Sequence, residues 1–270
     1  MSALRQDLSA AAAVVRRDFL IAVSYRTRFL AQLISLFLTL TLFHFISRLV
    51  RVASFPTPDS YFAYAVIGLI ILQVLTSTLS VPQGSLRQEL VGGTFERLLL
   101  SPFGAVRSLL ATTLFPLAYS VVTALAMLLF ASVVFGVRLD WATLPLVIPI
   151  GVLGALSFAG FGILFLAIAL LTRQGLTGAS YLIAGIGLVS GLYFPVSLLP
   201  DWLRWVSEIQ PFTPAVDLLR HVMVDTPLHE AVGIEVLKMV GFAALMLPLA
   251  VGAVSLTLQY SRRRGTVLEY

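Results

Sequence analysis

The residues whose types and spacing come closest to a chemical site are Asp217, Arg220 and His221, an acid, a cation and an imidazole at i, i+3 and i+4 of one helical stretch. A hydrolytic centre would also need a nucleophile and an oxyanion-stabilising group, and neither accompanies them. The three are therefore read as a local ion pair that holds their helix. No other cluster has metal-ligand character, and the absence of cysteine removes thiolate sites and disulfides. Nucleotide chemistry is excluded as well. A phosphate-binding loop ends in Gly-Lys-Ser/Thr, and the one lysine, Lys238, stands in Val236-Leu237-Lys238-Met239. The chain is expected to be no enzyme and to carry no cofactor. If ATP drives it, ATP and Mg are bound by another subunit.

The elements that carry these residues are those of a membrane. Hydrophobic residues make up 59% of the chain and charged residues 11%, against roughly 25% charged in a soluble domain. Six apolar blocks are expected to span as helices: Phe29–Ile46, Tyr61–Val81, Leu109–Phe135, Leu144–Leu171, Leu176–Val196 and Val236–Tyr260. Pro116 and Pro248 fall inside spans and are expected to kink them. No Asp, Glu or Lys occupies the middle of a span, which weighs against a proton- or sodium-coupled carrier. His44, near one end of the first span, is read as a solvated interfacial histidine. Arginine and lysine give the orientation: with the N-terminus inside, 12 of the 18 basic residues are cytosolic, and so are both termini. The net charge of +5 is spent on this sorting and not on a nucleic-acid patch.

Residues 1–28 form an amphipathic helix that should lie in the interface, with Leu4, Leu8, Ala11, Val15, Phe19 and Ala22 on one face and Arg16 and Arg17 elsewhere. The core domain is residues 29–260, followed by a cytosolic tail, 261–270. Inside the cell, the connection 83–107 reads as two short amphipathic helices, carrying Leu86 and Leu90, then Phe95, Leu98 and Leu99, broken at Gly92-Gly93. Outside, the connection 193–235 reads as two helices. One starts at Asp201 and carries Trp202, Leu203, Val206 and Ile209; the other starts at Thr213-Pro214 and carries Val216, Leu219 and Met223. Both are expected to dip into or lie on the outer leaflet, with Ser207 accessible from outside.

These two connections carry a family resemblance. Gly93-Thr94-Phe95-Glu96-Arg97-Leu98-Leu99-Leu100-Ser101-Pro102 inside, and Leu199-Pro200-Asp201-Trp202-Leu203, Pro211-Phe212-Thr213-Pro214 and Asp217-Leu218-Leu219-Arg220 outside, resemble the permease subunit of an ABC-2-type exporter, the type V fold. The resemblance implies an all-α integral membrane protein with six transmembrane helices, a cytosolic coupling helix between helices 2 and 3, and outer re-entrant helices between helices 5 and 6. It implies two permease subunits, as a homodimer or heterodimer, each with a cytosolic ABC ATPase, in a prokaryotic plasma membrane. Contact with the ATPase would fall on Arg16, Arg17, Asp18, Gln88, Glu89, Thr94, Glu96 and Arg97. Spans two and five would line the pathway, through Gln73, Thr76, Ser77 and Ser80 and through Thr177, Ser180, Tyr181 and Ala184. Trp202, Trp205, Phe212 and Arg220 would gate the exit. Small-residue faces also glue membrane helices together, and Gly151, Gly154, Ser157 and Gly160 of span four are read in that way. The expected cargo is an amphipathic small molecule or drug; a lipid-linked glycan, polysaccharide or lipid ranks second. An ATP-independent channel or scaffold is the alternative of a different class.

Overall fold

The computed structural model describes residues 2–24, 26–49, 55–93, 103–172 and 178–263. Among the described residues the regular structure is helical, with no strand. In chain order the helices are α1 (Ser2–Ser24), α2 (Arg26–Leu49), α3 (Pro58–Val91), α4 (Ala105–Ala111), α5 (Leu114–Phe135), α6 (Leu144–Thr172), α7 (Gly178–Val189), α8 (Asp201–Ile209), α9 (Phe212–Val224) and α10 (Val232–Arg263). Five stretches are long and apolar enough to cross a membrane: Leu30–Leu49, Pro58–Ser80, Ala105–Phe135, Trp141–Leu171 and Val232–Ser261. Of the expected fifth of six spans, Leu176–Val196, the described part is α7, Gly178–Val189, 12 residues or about 18 Å; its start adjoins residues outside the described ones. Gly191, in a left-handed conformation (φ 74°), ends the run, and Pro195 follows.

Span three is broken where its proline predicts. The last residues of α4 and the first of α5 are separated by Thr112-Thr113, just before Pro116. Thr113 N–H turns back to Leu110 O at 3.0 Å, and both threonine hydroxyls bond carbonyls three residues earlier. Pro116 is thereby placed in the first turn of α5, where its missing N–H has no partner to lose.

The inner connection departs from expectation. Span two and the first of the two short helices expected after it form one continuous helix of 34 residues, about 51 Å long. Gly93, with φ 67°, ends the turn after it. The tertiary reason is Leu86. It is buried among Leu109, Ile163, Leu166, Ala250, Val254 and Leu258, so packing against spans three, four and six carries α3 beyond the expected end of span two as far as the Gly92-Gly93 break. The second short helix, with Thr94, Glu96 and Arg97, lies outside the described residues, as does Thr177.

The outer connection departs further. Its second helix, α9, does not lie on a leaflet. Phe212, Ala215, Val216, Leu218, Leu219 and Met223 are buried in the main core with α3 and α6. Phe212 stacks its ring 4.4 Å from Phe158 and 5.9 Å from Phe161. The core the sequence appeared to withhold from this helix is supplied by distant spans. His44 is likewise no solvated histidine: it is buried, its ring 4.5 Å from Phe135 and 4.9 Å from Phe62.

Of the small-residue strip of α6, Gly154 and Gly160 pack closely, as read, and Gly151 does not. A Cβ at Gly160 would lie 2.6 Å from Met246 Cβ of α10, and Gly154 faces Ala215 and Met239. Gly162 is tighter still, because a Cβ there would lie 2.2 Å from Thr78 O of α3. That oxygen belongs to a helix backbone and cannot swing away. Gly162→Val should therefore destabilise the protein by at least the ~1–3 kcal/mol of ordinary overpacking. Gly151→Ala, with open space around it, should be neutral or mildly stabilising. Thermal unfolding of the two variants in detergent checks the pair.

Candidate functional site

The side chains brought together by the fold form two assemblies, one at each end of the bundle. The first is built on Arg220. A helix of almost uniformly apolar positions buries itself on all sides, and the arginine within it is buried too, 1% exposed. Its Nε and one terminal nitrogen each donate to Tyr64 O at 3.2 Å. That nitrogen also reaches Leu192 O at 2.9 Å, and the other reaches Gly191 O at 2.8 Å. The guanidinium carbon lies 3.3 Å from the centre of the Tyr64 ring, within cation–π range.

Two of these carbonyls, Gly191 O and Leu192 O, follow the end of α7, where no helical partner is left for them; the third, Tyr64 O, lies within α3. Ser207 Oγ of α8 donates to the last carbonyl of α7, Val189 O, and Tyr64 Oη donates to Gly191 O at 3.2 Å. Gly68 makes the approach possible, since a Cβ there would lie 1.9 Å from Leu192 O. A cation at a helix C-terminus also complements the helix dipole.

Asp217 therefore does not pair with Arg220, and the expected local ion pair is replaced by longer-range partners. Asp217 Oδ2 lies 3.1 Å from His229 Nδ1, in the link to α10, and His221 Nδ1 lies 2.8 Å from Thr226 O. Both carboxylate and guanidinium sit on one helix but face different neighbours. The Asp217 carboxylate holds the His229 imidazole above its ordinary value.

The second assembly is built on Arg17. Its guanidinium donates to Asp18 Oδ1 at 3.0 and 2.8 Å and meets Glu89 Oε1, near the end of α3, at 2.8 Å. Burial pushes the Asp18 carboxyl up, and Arg17 offsets part of that shift. Further along α1, Asp7 takes both its oxygens to Arg107 of α4, at 2.8 and 2.9 Å. Arg16 is exposed on the same helix. Of the residues expected to meet an ATPase, Arg17, Asp18 and Glu89 thus form one cluster that staples α1 to the extended α3.

The expected pathway residues are not brought together within one chain. Gln73 Nε2 donates to Ser77 Oγ at 3.2 Å and Thr76 Oγ1 to Leu72 O at 2.8 Å, so these groups satisfy each other along α3. Ser80 is half-buried, while Ser180, Tyr181 and Ala184 lie on an exposed face of α7, Tyr181 at 75%. The exit-side set divides too: Trp202 and Trp205 are 71% and 58% exposed on α8, whereas Phe212 and Arg220 are internal. Ser207 is fully buried, so it is no labelling position.

Sequence reasoning missed Tyr64, Gly68 and Gly191 as partners of Arg220. The available signal was the apolar periodicity around Arg220, which requires that a buried arginine find acceptors elsewhere.

Arg220→Met should leave Leu192 O without its donor and Gly191 O with Tyr64 Oη alone, at about 1–3 kcal/mol for the orphaned carbonyl, and the loss should show as a lower thermal unfolding temperature in detergent. Tyr64→Phe, which keeps the ring and loses one hydrogen bond, should cost only about 0.5–1.5 kcal/mol. His229 makes a pH prediction. A histidine held above its ordinary value stabilises the fold below about pH 6.5, and that contribution disappears as pH rises through its folded pKa. Thermal scans across this range should show the loss in the natural protein and a flat response in His229→Gln.

Comparison with known proteins adds to this geometry. Residues 10–224, from within α1 to the last residue of α9, match the ABC-2 type transporter family. Nodulation protein J of Rhizobium meliloti (strain 1021) is 28% identical over 89 residues, covering 33% of this chain and 34% of that protein. With an all-helical, multi-pass architecture and a match across most of its length, the chain belongs to the ABC-2 type transporter family, as a membrane-spanning component and not a catalytic one.

Proposed function

We propose that this chain is the permease subunit of an ATP-driven exporter, moving an amphipathic small molecule through a pathway formed with a second permease subunit. The observation that carries the reading is the Arg17–Asp18–Glu89 cluster. It ties the interfacial helix to the inner end of a 34-residue helix that continues through the bundle to the Arg220 clamp. Force applied to α1 by a cytosolic ATPase would reach the outer connection along one rigid element. ATP and Mg would be bound by that partner, and both termini would be cytosolic, as the arginine distribution favours.

The second subunit is supported by a difference between two exposed faces. The face of α2 with Leu30, Ile34, Leu38, Leu42 and Phe45 is wholly apolar and suits lipid. The exposed face of α7 is mixed, with Ser180, Ala184 and Gly185 beside Tyr181 and Leu188, and its small residues suit close contact with another helix.

The test is purification of the full chain in mild detergent from its native host, with measurement of any ATPase that accompanies it. A stoichiometric ABC ATPase is expected. Arg17→Glu and Glu89→Arg should each abolish cargo-stimulated ATP hydrolysis without loss of the folded protein, and the double exchange should restore it. Stimulation that survives both single exchanges would sink the coupling assignment. A chain that carries no ATPase even after cross-linking would replace it with an ATP-independent channel or scaffold.

A further inference from the structure

The charges of the outer connection that play no part in the Arg220 clamp converge on a cavity of about 300 Å3 between α8, α9 and the start of α10. Most of them already have partners. Arg204 Nη1 lies 3.1 Å from Asp201, Lys238 Nζ lies 2.8 Å from Glu230, and His229 lies 3.1 Å from Asp217. Two acids at the wall stand outside these ion pairs, Glu208, which is exposed, and Glu235. Glu235 lines the cavity, it is 3% exposed, and its Oε2 is buried with no hydrogen-bond partner. It stands in the first turn of α10. Asp217 Oδ2, across the cavity on α9, has its ion pair but no well-directed hydrogen bond.

A buried carboxylate without a donor is costly, and a ligand that is both cationic and rich in N–H donors removes that cost. We propose that this cavity binds a primary ammonium group, whose N–H donors are accepted by Glu235 and Asp217. The chemistry excludes the other ligand classes. An anion would meet four acids at the wall, Glu208, Asp217, Glu230 and Glu235, and of the two nearby cations Lys238 is engaged by Glu230 and Arg204 by Asp201, with only Arg204 Nε left over. Among the described residues, no group of three or more His, Asp or Glu is arranged to hold a metal ion. An ammonium needs only two well-placed carboxylates, because its remaining donor can be served by water or by the hydroxyls of Ser197 and Thr213 at the cavity wall.

The setting bears on the source of the amine. Arg204 and Ser207, which line the cavity, belong to α8, the helix that exposes Trp202 and Trp205. Exposed tryptophans take up the headgroup level of a bilayer, where the amine of an aminophospholipid is the concentrated candidate; a free amine in solution carries the same chemistry.

The test uses the purified full chain in vesicles of equal parts phosphatidylethanolamine and phosphatidylcholine, with retained lipid identified by native mass spectrometry. In parallel, free ethanolamine is titrated against tryptophan fluorescence in phosphatidylcholine alone. Glu235→Gln removes the charge without changing shape, and Glu208→Gln, an exposed charge at the cavity rim, is the control. Enrichment of phosphatidylethanolamine that falls at least about tenfold in Glu235→Gln and survives in Glu208→Gln supports the site with a lipid source. Saturable ethanolamine binding, lost in Glu235→Gln, without lipid enrichment supports it with a soluble source. No preference for either amine in the natural protein, or a preference unchanged in Glu235→Gln, overturns it.

Discussion

A guanidinium cannot be left uncompensated inside an apolar bundle, and carbonyls at the end of a buried helix cannot be left without donors. Arg220 answers both requirements at once, because its planar fork reaches the oxygens of Tyr64, Gly191 and Leu192 while its face rests on the Tyr64 ring. The rest of the outer half depends on this. α7 can end early because the oxygens bared at its end are capped by Arg220 and Ser207. The chain can then turn at Gly191, pass through α8 and send α9 into the core.

This arrangement makes the outer connection a structural part of the bundle and not a cover laid over it. α9 touches the long helix α3 through Arg220 and the glycine-lined helix α6 through Phe212 and Ala215. α3 in turn ends at the Arg17–Glu89 contact on the opposite face. A single rigid element thus joins the two charged assemblies, which is what a transporter needs if motion at one end is to reach the other. The fit between α6 and its neighbours at Gly160 and Gly162 leaves little room to slide, so movement would be concerted among packed helices.

Much of this was legible in residue types. The apolar blocks, the break before Pro116, the helix Asp201–Ile209, the close packing of Gly154 and Gly160 on α6 and the membership of the family all follow from composition, period and local motif. The residues Arg17, Asp18 and Glu89 could be singled out, although not as one cluster. Two readings failed for a common reason. Asp217 with Arg220 and α9 as a leaflet helix are both inferences from neighbours in sequence. In each case a partner elsewhere in the chain, His229 or Phe158, outcompeted the local one.

The sequence alone determined that this protein is a multi-pass, helical membrane protein and where most of its apolar helices fall. These are properties of single residues and of periods over one or two turns, where transfer free energy and backbone hydrogen bonding act locally. Only the tertiary structure decided what its buried charges do. Arg220 meets Tyr64 across 156 residues, and Glu235 joins Asp217 in one cavity. A buried charge must be satisfied by whatever the fold brings near it, and that pairing is a fact of three dimensions which no spacing along the chain records.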